Sequence, residues 1–211
     1  IMNKGLILLG GGGHCRSVIE AIEHSGKLKI AGILDPGAEA GQTICDYPIL
    51  GTDALIPSLH QSGHAFIITI GQIKNPAPRI ALFDLLQSLN ADILTITDRK
   101  AVVSGRSTIG KGTVVLRHTF INSNVTLGNN NIINTGAIVE HDSTTGDHVH
   151  ISTGAIVNGN CHIGNRCFIG TGAIILNNIT IADDVLVGAG AVVLRNITKP
   201  GIYHGNPARI I

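Results

Sequence analysis

The sequence predicts an α/β, Rossmann-like βαβ domain followed by an all-β parallel β-helix, and three observations carry that prediction. A six-residue repeat runs without a break through the second half of the 211-residue chain. The first half instead alternates short apolar runs with helical patterns and opens on the order strand, glycine loop, helix, strand. The composition suits both halves: 27 glycines and 44% hydrophobic residues against 3% aromatics, with no Trp, require small and β-branched side chains packed in bulk.

In the first half, Lys4 to Leu9 predicts a buried strand, Gly10 to Gly13 a turn, and His14 to Ser25 a helix with Val18, Ile19 and Ile22 on one face and Gly26 as its stop. Lys29 to Leu34 is the second strand of the βαβ unit. His64 to Ile70 predicts a further strand, Asn75 to Leu89 a helix with Asn75 as N-cap and prolines in its first turn, and Asp92 to Ile96 a last strand. A linker over Thr97 to Val102 divides the chain into residues 1–97 and 98–211.

The second half is read by taking every sixth residue from Val103: fifteen of the sixteen positions to Val193 are Ile, Leu or Val, and Thr145 is the exception. The next residue is often glycine (Gly110, Gly128, Gly146, Gly164, Gly170, Gly188), and the fifth position of the hexad is often small (Ser107, Ala137, Ala155, Cys161, Ala173). Short strands that turn a corner every six residues explain this: the aliphatic points inward, and Gly and Asn supply the left-handed dihedrals that corners need. At three hexads per triangular turn, residues 103–198 make about five stacked coils. The segment from Lys199 to Arg209 leaves the frame and is expected to cap the open end. An antiparallel sandwich would instead show alternation of period two.

Several function classes are disfavoured at this point. Fifteen Lys and Arg against fourteen Asp and Glu offer no broad basic surface for nucleic acid. The longest apolar runs fall well short of the ~20 residues of a membrane span, and no basic-then-apolar signal segment opens the chain, so a cytoplasmic protein is expected. Ile1 ahead of Met2 is read as a cleavage scar. Cys15, Cys45, Cys161 and Cys167 lack metal spacing and are expected to be reduced thiols filling small sites.

Three places carry candidate chemistry. The loop Gly10-Gly11-Gly12-Gly13-His14-Cys15 puts main-chain amides at a helix N-terminus, where phosphate is favoured. Asp35, closing the second strand, stands where a carboxylate accepts ribose hydroxyls. Cys15 replaces the last glycine of the dinucleotide fingerprint, so a mononucleotide fits better than NAD, and a purely structural glycine turn is the alternative. The second place is Glu140-His141-Asp142, with His150 nine residues on. A histidine between two carboxylates suits a general base, whereas a solvated corner is the plain alternative. Thr145, the broken aliphatic position, lies four residues away and is taken as a further mark of a site. Half a coil separates His141 from His150, so the two converge only if two chains pack side by side. The third place is the tail, where Lys199 and Arg209 are candidates to meet a phosphate.

The hexads, the Gly-Asn-Pro-Ala-Arg ending from Gly205, the Gly-Gly-Gly-Gly-His loop, the run from Asn134 through Glu140-His141-Asp142, and Gly146-Asp-His-Val-His-Ile together resemble the NeuD/PglD-type sugar acetyltransferases, a branch of the left-handed β-helix acyltransferases. The resemblance spans almost the whole chain. It implies a homotrimer with active sites between neighbouring β-helices, and acetyl-CoA as cosubstrate with no metal. It implies His141 as catalytic base, Asp142 as the carboxylate polarising it, His150 as a second histidine near the reacting groups, and Asn134 and Gly159 as polar and main-chain positions lining the site. Ala173, Gly188, Lys199 and Pro200 are the expected acetyl-CoA neighbours, and Gly10, Gly11, Gly12, Gly13, His14 and Asp35 the nucleotide-sugar pocket. Cys15 and the stretch Gly71-Gln72-Ile73-Lys74-Asn75-Pro76 depart from the family pattern.

The activity so implied is direct acetyl transfer to a nucleotide-linked 4-amino-4,6-dideoxy sugar in bacterial surface glycan or nonulosonic acid biosynthesis, with a main-chain amide near Gly159 steadying the oxyanion. Sialic acid O-acetylation keeps the fold and changes the acceptor. Zinc chemistry of the γ-class carbonic anhydrase kind would need three ligand histidines and is disfavoured, and a non-catalytic nucleotide-binding β-helix protein is the remaining alternative.

Overall fold

The computed structural model describes residues 5–211; Lys4, the expected start of the opening strand, and Ile1 and Met2 lie outside the described residues. Strand β1 (Leu6–Leu9) is buried along its length and leads through the glycine loop into α1 (Gly13–Ser25). The face of α1 carrying Cys15, Val18, Ile19 and Ile22 is buried, and Gly26 ends the helix at φ 63°, a left-handed cap that carries no Cβ penalty in glycine. β2 (Ile30–Leu34) lies parallel to β1 and completes the βαβ unit.

Strands β3 (Thr43–Ile44) and β4 (Tyr47–Gly51) and helix α2 (Ile56–Gln61) then fill a stretch too short and irregular in pattern to be read as elements from sequence. β5 (Ala65–Ile68) pairs with the other side of β1, giving the order β3-β4-β2-β1-β5, and α3 (Ala77–Ser88) follows. Asn75 does hold the start of α3, accepting the Ala77 amide at 2.9 Å, although the helix itself begins two residues after it. The strand expected over Asp92 to Ile96 is divided between the two units. Ile93 bridges Phe66 of β5, while Ile96–Thr97 already pairs with Val114–Val115 in the second unit.

That second unit is a left-handed parallel β-helix. All sixteen frame positions from Val103 to Val193 sit in short strands, and parallel pairs recur eighteen residues apart, as in Phe120 with Val102 and with Ile138. The strands form three sheets of six, five and eight. The eight-stranded sheet includes Ile96–Thr97 at one end and, at the other, the tail strands Gly201–His204 and Arg209–Ile210, which close the prism as expected. Each hexad sends two side chains inward. The frame aliphatic is one; the fifth-position residue is the other, and Ala137, Ala155, Cys161 and Cys167 are completely buried there.

The corners obey one rule throughout. From Gly112 to Gly190, every sixth residue is left-handed, with φ between 52° and 68°, and the fourteen occupants are five Gly, four Asn, two Asp, two His and one Arg. Glycine has a second role just after the frame position. A Cβ at Gly110 would stand 2.5 Å from the main chain of Gly128 in the next coil, so the coils approach too closely there for any side chain.

The left-handed corners are open to a stability test. Gly172 (φ 65°) has open space where a Cβ would stand, so Gly172→Val should cost about 1–2 kcal/mol from backbone conformation alone, whereas His118→Gly (φ 58°) should recover up to about 1 kcal/mol, both measured by denaturant unfolding.

Candidate functional site

The α/β unit docks on the eight-stranded face of the prism. Its core continues into Ile96, Val114 and Leu116, which pack with Cys15, Val18, Ile19 and Ile22 of α1. At the edge of α1, Arg117 binds both carboxylate oxygens of Glu20 at 2.7 and 2.8 Å. The other end of the seam is held by Arg79, a fully buried residue in α3. It donates to the carbonyls of Ile68 and Ile70 and, across the seam, to the carbonyl and Oδ1 of Asn130, the latter at 2.6 Å. Asn130 is one of the left-handed corner residues, and its side chain also reaches His148 Nδ1 at 3.0 Å. Gln72, between β5 and α3, adds a bond from Nε2 to the His148 carbonyl.

Between the two units lies a cavity of about 740 Å³. One wall is Gly13, His14 and Ser17 at the start of α1 with Gly71 and Gln72; the facing wall is Asn134, Thr135, His150 and Thr153 of the prism. The start of α1 has no side-chain cap and no acidic residue in its first turn, leaving its amides and dipole available to an anion. His14 stands just inside; burial holds its pKa at about 3, and its enclosed Nε2 has no partner among the described residues. His150 is buried too, held near pKa 4 by desolvation, and Asn134 Nδ2 reaches its Nε2 at 3.1 Å. Thus the structure brings Gly13, His14, Asn134 and His150 together although they come from both units.

Gly10, Gly11 and Asp35 are not among the residues that line this cavity. Gly10 (φ 105°) packs against Ile70, and the Gly11 amide donates to Asp35 Oδ2 at 2.7 Å while the Gly37 amide takes Oδ1 at 2.7 Å. Asp35 therefore stitches the loop closed. Gly12 is the exposed N-cap of α1.

His141 and Asp142 stand elsewhere, exposed at the corner between the six- and five-stranded sheets. Asp142 is the left-handed residue of that corner (φ 61°), a position Asp tolerates because its short polar side chain bonds locally. This turn brings Asp142 Oδ2 to His141 Nδ1 at 2.8 Å, and Asn124 Nδ2, one coil earlier, donates to Oδ1 at 3.2 Å. The two bonds hold the Asp142 pKa below its usual value. With the proton of the neutral ring drawn to Nδ1, the lone pair is on Nε2. The ring lies over Gly159 of the next coil, where a Cβ would come within 2.7 Å of Nε2, so a larger residue there would push the ring out of this position.

The break at Thr145 has a different cause from the one expected. Its Oγ1 accepts from Asn131 Nδ2 at 2.7 Å inside the prism, and Asn131 Oδ1 accepts the Val149 amide, so the break is a satisfied internal polar pair in which His141 takes no part. Ala173 is buried in the prism core, with its amide given to Gly170 and its carbonyl to Ile156, and presents no surface to a ligand in this chain. The Gly188 amide donates to the Tyr203 carbonyl at 2.7 Å; Lys199 and Pro200 are exposed. Cys161 and Cys167 are buried, and desolvation pushes the Cys167 thiol to about 11. Among the described residues, no group of three or more His, Cys, Asp or Glu is placed to hold a metal ion, and no helix is long and apolar enough to cross a membrane.

Ser17, Thr153 and Arg79 belong to no motif read from the sequence, and Gln72 is marked there only as part of the stretch that departs from the family pattern. A signal for Arg79 did exist: it occupies the buried stripe of α3 with Leu82, Phe83 and Leu86, where an apolar residue is expected.

An α/β unit with an uncapped helix N-terminus, joined to a left-handed β-helix that carries a histidine and carboxylate at a corner, defines a hexapeptide-repeat transferase with an added α/β domain. The PglD N-terminal domain family matches residues 5–86, and the bacterial transferase hexapeptide (six repeats) family matches residues 160–195. No match is found among curated protein sequences. Among solved structures, a variant of perosamine N-acetyltransferase from Caulobacter crescentus, in complex with CoA and GDP-perosamine, is 30% identical with a TM-score of 0.92, over 98% of this chain and 96% of that one. The acetyltransferase domain of PglB from Neisseria gonorrhoeae, in complex with acetyl coenzyme A, is 30% identical with a TM-score of 0.91, over 99% of this chain and 100% of that one. WeeI from Acinetobacter baumannii is 29% identical with a TM-score of 0.88, over 98% and 99%. The chain belongs to the NeuD/PglD-type sugar acetyltransferase family.

The two buried imidazoles link folding to pH. Unfolded, each takes a proton near 6.5; folded, His14 and His150 stay neutral down to about 3 and about 4. The unfolded chain thus binds more protons below pH 6.5, and stability should fall as the pH drops from there towards 4. Denaturant unfolding across that range checks this, and His14→Gln should flatten the slope.

Proposed function

We propose that the protein transfers the acetyl group of acetyl-CoA to the amine of a nucleotide-linked sugar, of the 4-amino-4,6-dideoxy class. The observation that carries this reading is the pair of sites on one chain: the cavity at the α1 N-terminus, suited to a nucleotide sugar's phosphates, and the polarised His141 on the prism. Similarity along nearly the full chain to acetyltransferases solved with CoA and with GDP-perosamine supports the substrate class. In this reading the α/β unit and the prism wall facing it hold the nucleotide sugar, and the β-helix, which already includes Ile96–Thr97, carries the transfer. Cytoplasmic placement follows from the substrates, since acetyl-CoA and nucleotide sugars are held there.

His141 Nε2 takes the proton as the sugar amine attacks the thioester carbonyl; the C–N bond forms, the C–S bond breaks, and CoA leaves as the thiol once it regains a proton. A main-chain amide near Gly159 steadies the oxyanion. Asp142 holds the ring in the tautomer that frees Nε2. No acyl-enzyme is required, and the buried Cys161 and Cys167 are poorly suited to form one.

The working form is a trimer. The outward residues of the six-stranded sheet are Val102, Phe120, Ile138, Ile156, Ile174 and Val192, an apolar ladder along the prism, whereas those of the five-stranded sheet are Thr108, Thr126, Thr144, His162 and Thr180. A second copy against the apolar face would bring its own cavity wall towards His141, which stands at the edge of that face. Lys199 and Pro200, exposed on the turn between the five- and eight-stranded sheets, are the residues of this chain we assign to acetyl-CoA.

The test is a thioester-consumption assay against UDP-, GDP- and CMP-linked amino sugars and free sialic acid. Turnover with a nucleotide-linked amino sugar is expected, and turnover with sialic acid alone would replace the reading by O-acetylation. His141→Ala should lose about 100-fold or more in kcat with assembly intact. Ile156→Glu should give a smaller species by sedimentation and lose activity with it, because a charge on the apolar face would be buried unpaired.

A further inference from the structure

The ring of His150 is tied at both nitrogens, and the ties have a fixed polarity. Its Nδ1 faces the main-chain carbonyl of Gln72, seventy-eight residues away in the other unit. A carbonyl only accepts, so Nδ1 carries the proton and Nε2 the lone pair. The group meeting that lone pair at 3.1 Å must then donate, which makes it the Nδ2 of Asn134. Asn134 Oδ1 in turn accepts the Thr135 amide at 2.8 Å. Both ends of the Asn134 side chain are therefore oriented, and its second N–H has no partner among the described residues, while Asn134 and His150 both line the cavity.

We propose that His150 is a positioning residue that transfers no proton: the Gln72 carbonyl fixes its tautomer, and the ring fixes Asn134 so that a single amide N–H is presented to an oxygen of the bound substrate. This rests on the functional reading above and goes beyond it, because it makes the α/β domain set the orientation of a donor on the prism. The surroundings fit a ring that stays neutral. Arg79 of α3 and His14 of α1 are the charged and titratable groups facing it, His148 lies in the corner two residues before it, and Phe168 packs edge-on with ring centres 5.1 Å apart. A lone pair already occupied by Asn134 is not free to act as a base. The loop that holds the Gln72 carbonyl also supplies Gly71 and Ile73 to the cavity wall, so the ligand's own site and the orienting device share one segment.

The test has a spectroscopic and a kinetic arm, both on the full chain. In long-range proton–nitrogen spectra of histidine-labelled protein, assigned by the loss of signal in His150→Gln, Nδ1 should appear protonated and Nε2 bare, unchanged between pH 8 and about 5.5. An imidazolium, or the opposite tautomer, in that range would overturn the proposal. In the thioester assay, His150→Gln can still donate at one end of its amide and accept at the other. It should keep kcat within about tenfold and leave the acid limb of the pH profile in place, whereas His150→Leu should lose about 100-fold. If the Asn134 donor meets a sugar hydroxyl, the loss in His150→Leu appears mainly in the KM of the nucleotide sugar; if it meets the thioester oxygen, mainly in kcat. Equal inactivity of both variants with a shifted acid limb would make His150 a base, and full activity of both would remove any positioning role. The spectra read the ring directly, and the assay on the unaltered protein separately reports failure of the functional reading.

Discussion

The eighteen-residue register of the prism is the constraint on which everything else depends. Parallel pairing of each strand with the strand one coil away forces a corner every six residues, and each corner from Gly112 to Gly190 is closed by a left-handed residue. Such a conformation costs an ordinary side chain about 1–2 kcal/mol, which explains why Gly, Asn and Asp crowd the second half of the chain. The cost is offset by local bonding. Asn129 accepts from Lys111, Asp147 from Asn129, Asn165 from Asp147 and Asp183 from Asn165, a ladder that steps one coil at a time along one edge. The candidate catalytic corner follows the same rule. Asp142 is where a corner residue must be left-handed, and that backbone turn brings its carboxylate to His141.

The three faces of the prism have three different fates. The eight-stranded face is covered by the α/β unit, the five-stranded face shows threonines and His162, and the six-stranded face keeps its apolar side chains outward. Chemistry is placed along the boundaries. His150 and Asn134 sit where the α/β unit meets the prism, and His141 sits at the margin of the apolar face. Arg79 shows what the seam requires energetically. A buried guanidinium whose hydrogen bonds all go to neutral oxygens is tolerated only when its acceptors are held in place, and they come from both units. Breaking the seam would cost Arg79 both of its bonds to Asn130 while leaving those to Ile68 and Ile70.

Much of this was legible in the sequence. The hexad frame, the inward aliphatics, the glycine turn before α1, the βαβ order and the Glu140-His141-Asp142 corner each report a steric or electrostatic demand satisfied within a few residues, and such demands leave a periodic or compact trace. Thr145 shows the limit of the same logic. A break in the frame was visible, but its partner Asn131 lies fourteen residues away across the prism interior, and only packing reveals that the two satisfy each other.

The sequence by itself therefore determined the coil, its corners, the identity of the polarised histidine and the glycine turn that leads into α1. Tertiary structure alone decided which face of the prism is covered, that His14 and His150 share one cavity, that Asp35 accepts the Gly11 amide of the glycine loop, and that the Gln72 carbonyl sets the polarity of the His150 ring. The physical reason is that docking one folded unit on another depends on shape and on unpaired polar groups at two remote surfaces. Neither surface repeats along the chain, so no spacing in the sequence records their meeting.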